Sequence, residues 1–556
     1  MEVLVASAWI TYAIIIGILF IFSIIFTKYY QDKRDSELLA TVVTIGALTL
    51  CLSTIALFPV DIFLVSSTTN SETGLKHSWA TKDVVESIVG EIKSVYYAMY
   101  GLIALFCGIL IPFAYFYFEE LEEDETSRQR FMGALKYTIF FIAFISICLI
   151  FGILIQPQEK IPIDLDFFKN LLSGSIGERS ISFVMAVLMV LGMTVFITYT
   201  APGLSLLPVK LIVGMRKFKS DSTQKKISDL LNINLEKQRV IRAKYSNVNN
   251  NMMSRVDTKQ LDKLKTEERI LRRTLREFDV PETGMRYIWN KILFIFRPFE
   301  FIGGIILLIL TIVLMLSMFL TCIDKIKNSI CGRECGYVIM HPDKFNPLNY
   351  IFVYLSKFFP VDYFFAVLLI LYFFSSTIIG VIAIGIRFLW ITLFKIRRQA
   401  TPPQGLLFAA SLLMLSLLAL NYTLTMVVTP QYAQFGSQKY CNLTHDDIRD
   451  CKDYPQLIIP CDVTAPTDVC TPTVISTFLH QIMMNTPFFG LILYYAQWVF
   501  LVVAGLSFIY SIIRMSFGSN RYYLSDDGEE RDEYDEEEEE ALLGGIRNGR
   551  SIEANE

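Results

Sequence analysis

The residues of this chain that could do chemistry are ten cysteines, a pair of Pro-Val-Asp elements and an acidic dileucine. Cys441, Cys451, Cys461 and Cys470 follow one another at intervals of 10, 10 and 9 residues. That spacing lacks the C-x₂₋₄-C pairs of a zinc site, so disulfides in an oxidising compartment are the better reading, with connectivity left open. Cys331 and Cys335 have the closer spacing but no second pair in their stretch, and they join the disulfide candidates. Asn442-Leu443-Thr444 is a glycosylation sequon in the same stretch as the last four cysteines. Asn421-Tyr422-Thr423 matches too, but lies inside an apolar run and reads as inert.

Asp61 stands in Pro59-Val60-Asp61-Ile62-Phe63 and Asp362 in Pro360-Val361-Asp362-Tyr363-Phe364. An acid at the edge of an apolar run either faces a water-filled cavity or caps a helix end at the interface. Capping is favoured, with Asp362 well placed as an N-cap. Pro112, Pro202 and Pro208 are candidate kinks. His77, His341, His445 and His480 all fall between apolar runs and read as scattered surface residues, although protonation in an acidic lumen would let them sense pH. No G-x-x-x-x-G-K-[ST], H-E-x-x-H, G-x-S-x-G or kinase signature occurs, so the chain has no ATP site of its own by these motifs, no metal site is expected, and no enzyme is indicated.

The elements that position these residues follow from composition. Of 556 residues, 53% are hydrophobic and only 19% charged, below the roughly 25% of soluble domains. Nine long apolar runs occur: Leu4–Thr27, Leu38–Ser66, Val95–Phe118, Tyr137–Ile155, Ile181–Leu206, Phe299–Cys322, Asp362–Ile386, Gly405–Val428 and Phe488–Ile513. Each is long enough to cross a bilayer, and continuous runs must cross as helices. The fold class is therefore all-α, a polytopic membrane protein. Nine crossings place the termini on opposite sides. Outside the long basic loop, Lys and Arg divide 15 against 14 between the two sides and decide nothing. Cysteines and sequon break the tie, placing the N-terminus in the lumen and the C-terminus in the cytosol.

Four regions result: helices one to five over 1–209, a cytosolic loop over 210–297, helices six to nine over 298–513 and an acidic tail over 514–556. The loop holds 21 Lys/Arg against 10 Asp/Glu. Leu261, Leu264, Leu271, Leu275 and Phe278 keep a helical 3-4 spacing, with Glu268 at the missing seam position. Ile227, Leu231 and Ile241 fit a first helix loosely, so a basic helical hairpin is expected. It suits a partner protein or the anionic face of a lipid bilayer, and no nucleic-acid module accompanies it. In the tail, 12 of the 15 residues from Asp526 to Glu540 are acidic, and Glu538 with Leu542 and Leu543 has the spacing of a clathrin-adaptor sorting signal. Tyr245-Ser246-Asn247-Val248 is a weaker tyrosine-type match.

Several stretches together carry a family resemblance: LFPVDIFLVS at Leu57–Ser66, IPFAYFYFEE at Ile111–Glu120, TYTAPGLSLLPVKLIVG at Thr198–Gly214, NPLN at Asn346–Asn349, FPVDY at Phe359–Tyr363, KIRRQATPPQGLLF at Lys395–Phe408, TPQYAQFGSQKY at Thr429–Tyr440 and CDVTAPTDVCT at Cys461–Thr471. Through them, residues 1–515 resemble the limb-region-type membrane protein family. The resemblance implies a nine-span lysosomal protein that assists export of cobalamin, its transported ligand, beside a subfamily D ATP-binding-cassette half-transporter that supplies ATP hydrolysis. It carries over no cobalamin-contact residues. The alternatives are a plasma-membrane or endosomal receptor recruiting clathrin adaptors, and an autonomous secondary transporter; a homodimer is left open.

Overall fold

The structure is a computed structural model. It describes residues 2–32, 37–70, 72–120, 127–154, 176–214, 220–246, 261, 264–265, 268, 271–272, 285–329, 332, 345–356, 361–388, 391–396, 401–442, 444–445, 448–449, 451, 455–462, 465–466 and 468–517. Cys331, Cys335, His341, Glu538, Leu542 and Leu543 lie outside these residues.

Among the described residues, nine helices are long and apolar enough to cross a membrane: α1 (Val5–Tyr30), α2 (Leu38–Ser66), α3 (Lys82–Glu119), α4 (Arg128–Leu154), α5 (Gly177–Ile212), α7 (Glu300–Lys327), α9 (Val361–Ile384), α10 (Pro403–Val428) and α13 (Pro487–Ile513). They match the nine expected spans one for one. The helix that contains α7 already begins at Met285. Several helices outrun their apolar run, because a helix continues into water once its polar residues can be solvated. The extension of α3 carries Lys93, which pairs with Glu178 at the start of α5 at 2.9 Å. Between the spans lie α6 (Ser220–Ser246), α8 (Pro347–Leu355), α11 (Pro430–Phe435) and α12 (Val474–Asn485).

The chain divides into two compact units, Met1–Leu207 with Leu308–Phe508, and Pro208–Leu307 with Ile509–Glu556. In the first, α2 and α10 are mostly buried while α1 and α4 turn Ile and Phe side chains outward. A lipid-facing surface is apolar, so what distinguishes the interior here is small and hydroxylated residues. A Cβ on Gly203 would meet the Ser376 carbonyl, and one on Gly380 the Tyr199 carbonyl, so glycine lets α5 and α9 touch backbone to backbone. Thr200 Oγ1 then bonds Thr377 Oγ1 of α9 at 2.9 Å and Ser416 Oγ of α10 at 3.1 Å.

Among the described residues, three π-helical turns interrupt the spans, at Phe106–Leu110, Phe196–Thr200 and Leu424–Val428. Each ends two residues before a proline: Pro112, Pro202 and Pro430. A proline ring clashes with the carbonyl four residues back, and the wider turn accommodates it. Pro208, by contrast, sits inside the helical run Ala201–Gly214.

In the second unit, Gln238 of α6 fills the seam gap read at Glu268. Its Nε2 donates to Glu268 Oε2 at 2.8 Å, to the Leu264 carbonyl at 3.2 Å and to Asn234 Oδ1 at 2.9 Å. Leu261 and Leu271 are buried on either side. A polar residue in an apolar helix seam fixes register.

Candidate functional site

The segment joining α10 to α13 is where the chemistry-bearing residues meet. After the π turn ending at Val428, α11 runs for one and a half turns and stops at Gly436, whose φ of 60° is left-handed. A side chain there would also strike Ser66 Oγ at the end of α2. Ser66 Oγ instead accepts the Ser437 N–H at 3.2 Å. The chain continues through the strand Lys439–Cys441, paired antiparallel with Ile458–Pro460, and returns as α12.

Two disulfides close this segment, Cys441–Cys451 and Cys461–Cys470, each with Cα atoms 5.9 Å apart. Gln438 staples the second to the first strand: its amide donates to the Phe435 and Thr471 carbonyls at 2.9 and 2.7 Å and accepts the Thr471 N–H at 3.0 Å. Asn442 is exposed, whereas Asn421 is buried in α10. Cys51, Cys107, Cys148 and Cys322 are free.

Asp61 caps a helix, but not its own. It is 0% exposed, and its carboxylate accepts the Val474 N–H at 3.2 Å and the Ile475 N–H at 3.0 Å, the first two donors of α12. Thr473 Oγ1 takes the next, from Ser476, and donates to the Ala433 carbonyl at 2.7 Å. A carboxylate on these orphan donors gains from the charge-assisted bonds and the helix dipole together. The Tyr96 phenol of α3 lies against the same carboxylate.

Asp362 is 2% exposed and lies inside the first turn of α9 rather than at an exposed interface. Its Oδ2 accepts from the Tyr432 hydroxyl of α11 at 2.9 Å. Burial beside this acid raises the Tyr432 phenol well above its ordinary range, so it stays a donor. Phe352 of α8 stacks on Tyr432 at 4.6 Å. Asn349 of α8 accepts the Tyr432 N–H at 3.0 Å and donates to Gln431 at 2.9 Å. Asn346, which caps α8, donates to Thr321 of α7 and to the Val428 carbonyl at 2.9 and 3.1 Å. The two Pro-Val-Asp elements themselves touch through Phe63 and Tyr363, with ring centroids 5.7 Å apart. Sequence reasoning found both acids and missed Tyr96, Tyr432 and their backbone partners.

His480 corrects the reading of surface histidines. It lies in α12, 8% exposed, with Nδ1 2.8 Å from the Ser476 carbonyl. Burial, with the Lys325 cation adding to it, lowers its pKa to about 4. Lys325, also unmarked by sequence reasoning, lies in the last turn of α7 and is 4% exposed. The apolar run ends at Cys322, three residues earlier, and hid it. Among the described residues no group of three or more His, Cys, Asp or Glu could hold a metal ion. The geometry is that of a polar clamp holding α8, α11 and α12 against the ends of the spans.

Residues 8–279 match the model of the LMBR1-like membrane protein family. A protein of Sclerotinia sclerotiorum named probable lysosomal cobalamin transporter is 39% identical over 92% of this chain and 88% of its own length. Proteins of the same name from Coccidioides immitis and Aspergillus oryzae are 39% and 40% identical, over 96% and 97% of this chain and 94% of each relative. The chain belongs to the LMBR1-like family. No solved structure matches it.

Asp61→Ala leaves two buried N–H groups at the start of α12 unpaired, costing about 2–4 kcal/mol. Asp61→Asn keeps one acceptor and loses less; thermal melting of purified protein in detergent measures both. For His480, both states are neutral above about pH 6.5. As pH falls toward 4, the unfolded chain takes up a proton that the folded chain refuses, so stability declines, and the slope ends near the folded pKa. His480→Gln should therefore lose less melting temperature between pH 7 and pH 4.5 than the native chain does.

Proposed function

We propose that this chain serves cobalamin transport across the lysosomal membrane, as a multi-pass accessory subunit working beside a subfamily D ATP-binding-cassette half-transporter. The observation that carries the reading is the agreement of relatives named probable lysosomal cobalamin transporter over almost the whole chain, at 39–40% identity. Cobalamin is the transported ligand in this reading and is not held as a resident cofactor. The partner is what the family resemblance of residues 1–515 implies, and the lack of a G-x-x-x-x-G-K-[ST] motif is consistent with it.

The N-terminus is assigned to the lumen and the C-terminus to the cytosol. Two disulfides in the α10–α13 segment support that assignment, because such bonds persist on the oxidising side of a membrane. On the same side, Asn442 is exposed and available for glycosylation, whereas Asn421 is buried in its span. Asn442→Gln should remove an endoglycosidase-sensitive gel shift and Asn421→Gln should leave it in place. A shift that survives Asn442→Gln would refute this site.

Pull-down of tagged protein from purified lysosomes, with mass spectrometry, tests the partnership. Recovery of the half-transporter, together with cobalamin retained in lysosomes lacking the chain, is the expected result. Recovery of clathrin adaptors and a surface receptor without any transporter would favour the receptor-adaptor role that Glu538, Leu542 and Leu543 suggest.

A further inference from the structure

An unneutralised lysine inside a membrane protein needs a reason. Lys325 is 4% exposed, and among the described residues it makes no hydrogen bond or ion pair. The adjacent Asp324 accepts from Asn328 Nδ2 at 2.7 Å and not from Lys325. The Lys325 ammonium stands 5.9 Å from the centroid of the Tyr422 ring of α10. It is also close enough to bear on His480 of α12, so three elements of the first unit converge on it. Tyr422 beside it has spare hydrogen-bonding capacity, and α10 and α12 carry further unpartnered groups. The Tyr422 hydroxyl is buried without a partner, as is Thr425 Oγ1 one turn further along α10. So are both amide atoms of Asn485, in the last turn of α12.

A buried cation without a partner costs more than a paired one, and intramembrane charge is kept where it meets an anion. The unpartnered Tyr422 hydroxyl beside the charge suits the second oxygen of a small anion. We propose that Lys325 and Tyr422 form a receptor for a phosphate-diester monoanion at the end of α7. The diester is favoured over a carboxylate because a carboxylate, with its ordinary pKa near 4, partly protonates on entering an apolar site in a mildly acidic compartment. A phosphate diester keeps its charge there.

Two sources carry this group: a phospholipid headgroup, and cobalamin, whose nucleotide loop is joined through a phosphate diester. Only the second source rests on the function proposed above.

The test uses the full chain in dodecyl maltoside, which carries no phosphate, and reads melting temperature and affinity. Dimethyl phosphate is the minimal probe. Phosphatidylglycerol against diacylglycerol reports the lipid source, and cobalamin against cobinamide, which lacks the diester, reports the soluble one. At least one diester should stabilise the native chain, with affinity about tenfold weaker in Lys325→Met and partly kept in Lys325→Arg. Tyr422→Phe should weaken binding less than Lys325→Met. Without ligand, Lys325→Met should melt no lower than the native chain, since it removes an unpaired buried charge. Failure of every diester to shift the melt, or an equal shift in Lys325→Met, overturns the site. Lysosomal cobalamin export is scored separately in cells, so a lost site with intact export leaves the function standing.

Discussion

A buried carboxylate held by two backbone N–H groups is the constraint on which the α10–α13 segment depends. Asp61 is wholly enclosed and its two oxygens answer Val474 and Ile475, 413 and 414 residues further along the chain. Neither side of this contact is stable alone. A charge without donors would have to neutralise, and a helix start without acceptors would leave its first amides unsatisfied where water is scarce. Joined, they fix where α12 begins, and that in turn places the π turn and α11 before it. Asp362 does the same for α11 through a neutral donor, Tyr432.

The remainder of the interior follows the same economy of polar groups. Hydroxyl contacts among Thr200, Thr377 and Ser416, and glycines that let backbones meet at Gly203 and Gly380, join the spans where apolar packing cannot discriminate protein from lipid. Gln497 of α13 donates to Thr423 Oγ1 of α10 at 3.1 Å, and Tyr494 to the Cys322 carbonyl of α7 at 3.2 Å. Each of these bonds commits a span to one neighbour and one depth. Apolar area alone would fix neither.

The spans were legible because bilayer thickness imposes a length that hydropathy reports directly, and all nine were found. Their ends were less so: Lys82–Lys93 reads as loop by hydropathy, yet continues α3 in solvent. Pro112 and Pro202 announced irregular helix, but not that the answer would be a π turn rather than a bend. Cysteine placement predicted which segment would be cross-linked, although nothing in the intervals said that neighbours would pair. Asp61 and Asp362 stood out as acids among apolar residues. Their partners did not, because a backbone amide carries no residue type and Tyr432 looks like any aromatic in a short loop. His480 was misread for a related reason. Val474–Asn485 is too short to register as a span, and only tertiary packing buries it.

The distribution of cross-links and clamps separates what is held from what is spare. The described residues between Gly436 and Cys470 are tied by two disulfides, a strand pair and the Gln438 staple. Asp61, Asp362, Asn346 and Asn349 then anchor that cross-linked region's helices to α2, α9 and α8. Lys325 presents a different kind of unmatched group, a cation 4% exposed with no hydrogen bond or ion pair among the described residues. Tyr422 is as deeply enclosed as the clamp residues, yet its hydroxyl stays unmatched beside that cation. Unpartnered neutral groups such as those of Asn421, Gln434 and Gln497 occur elsewhere in the interior, but a charge calls for a counter-charge in a way that they do not. An anion arriving from outside the chain would supply that counter-charge.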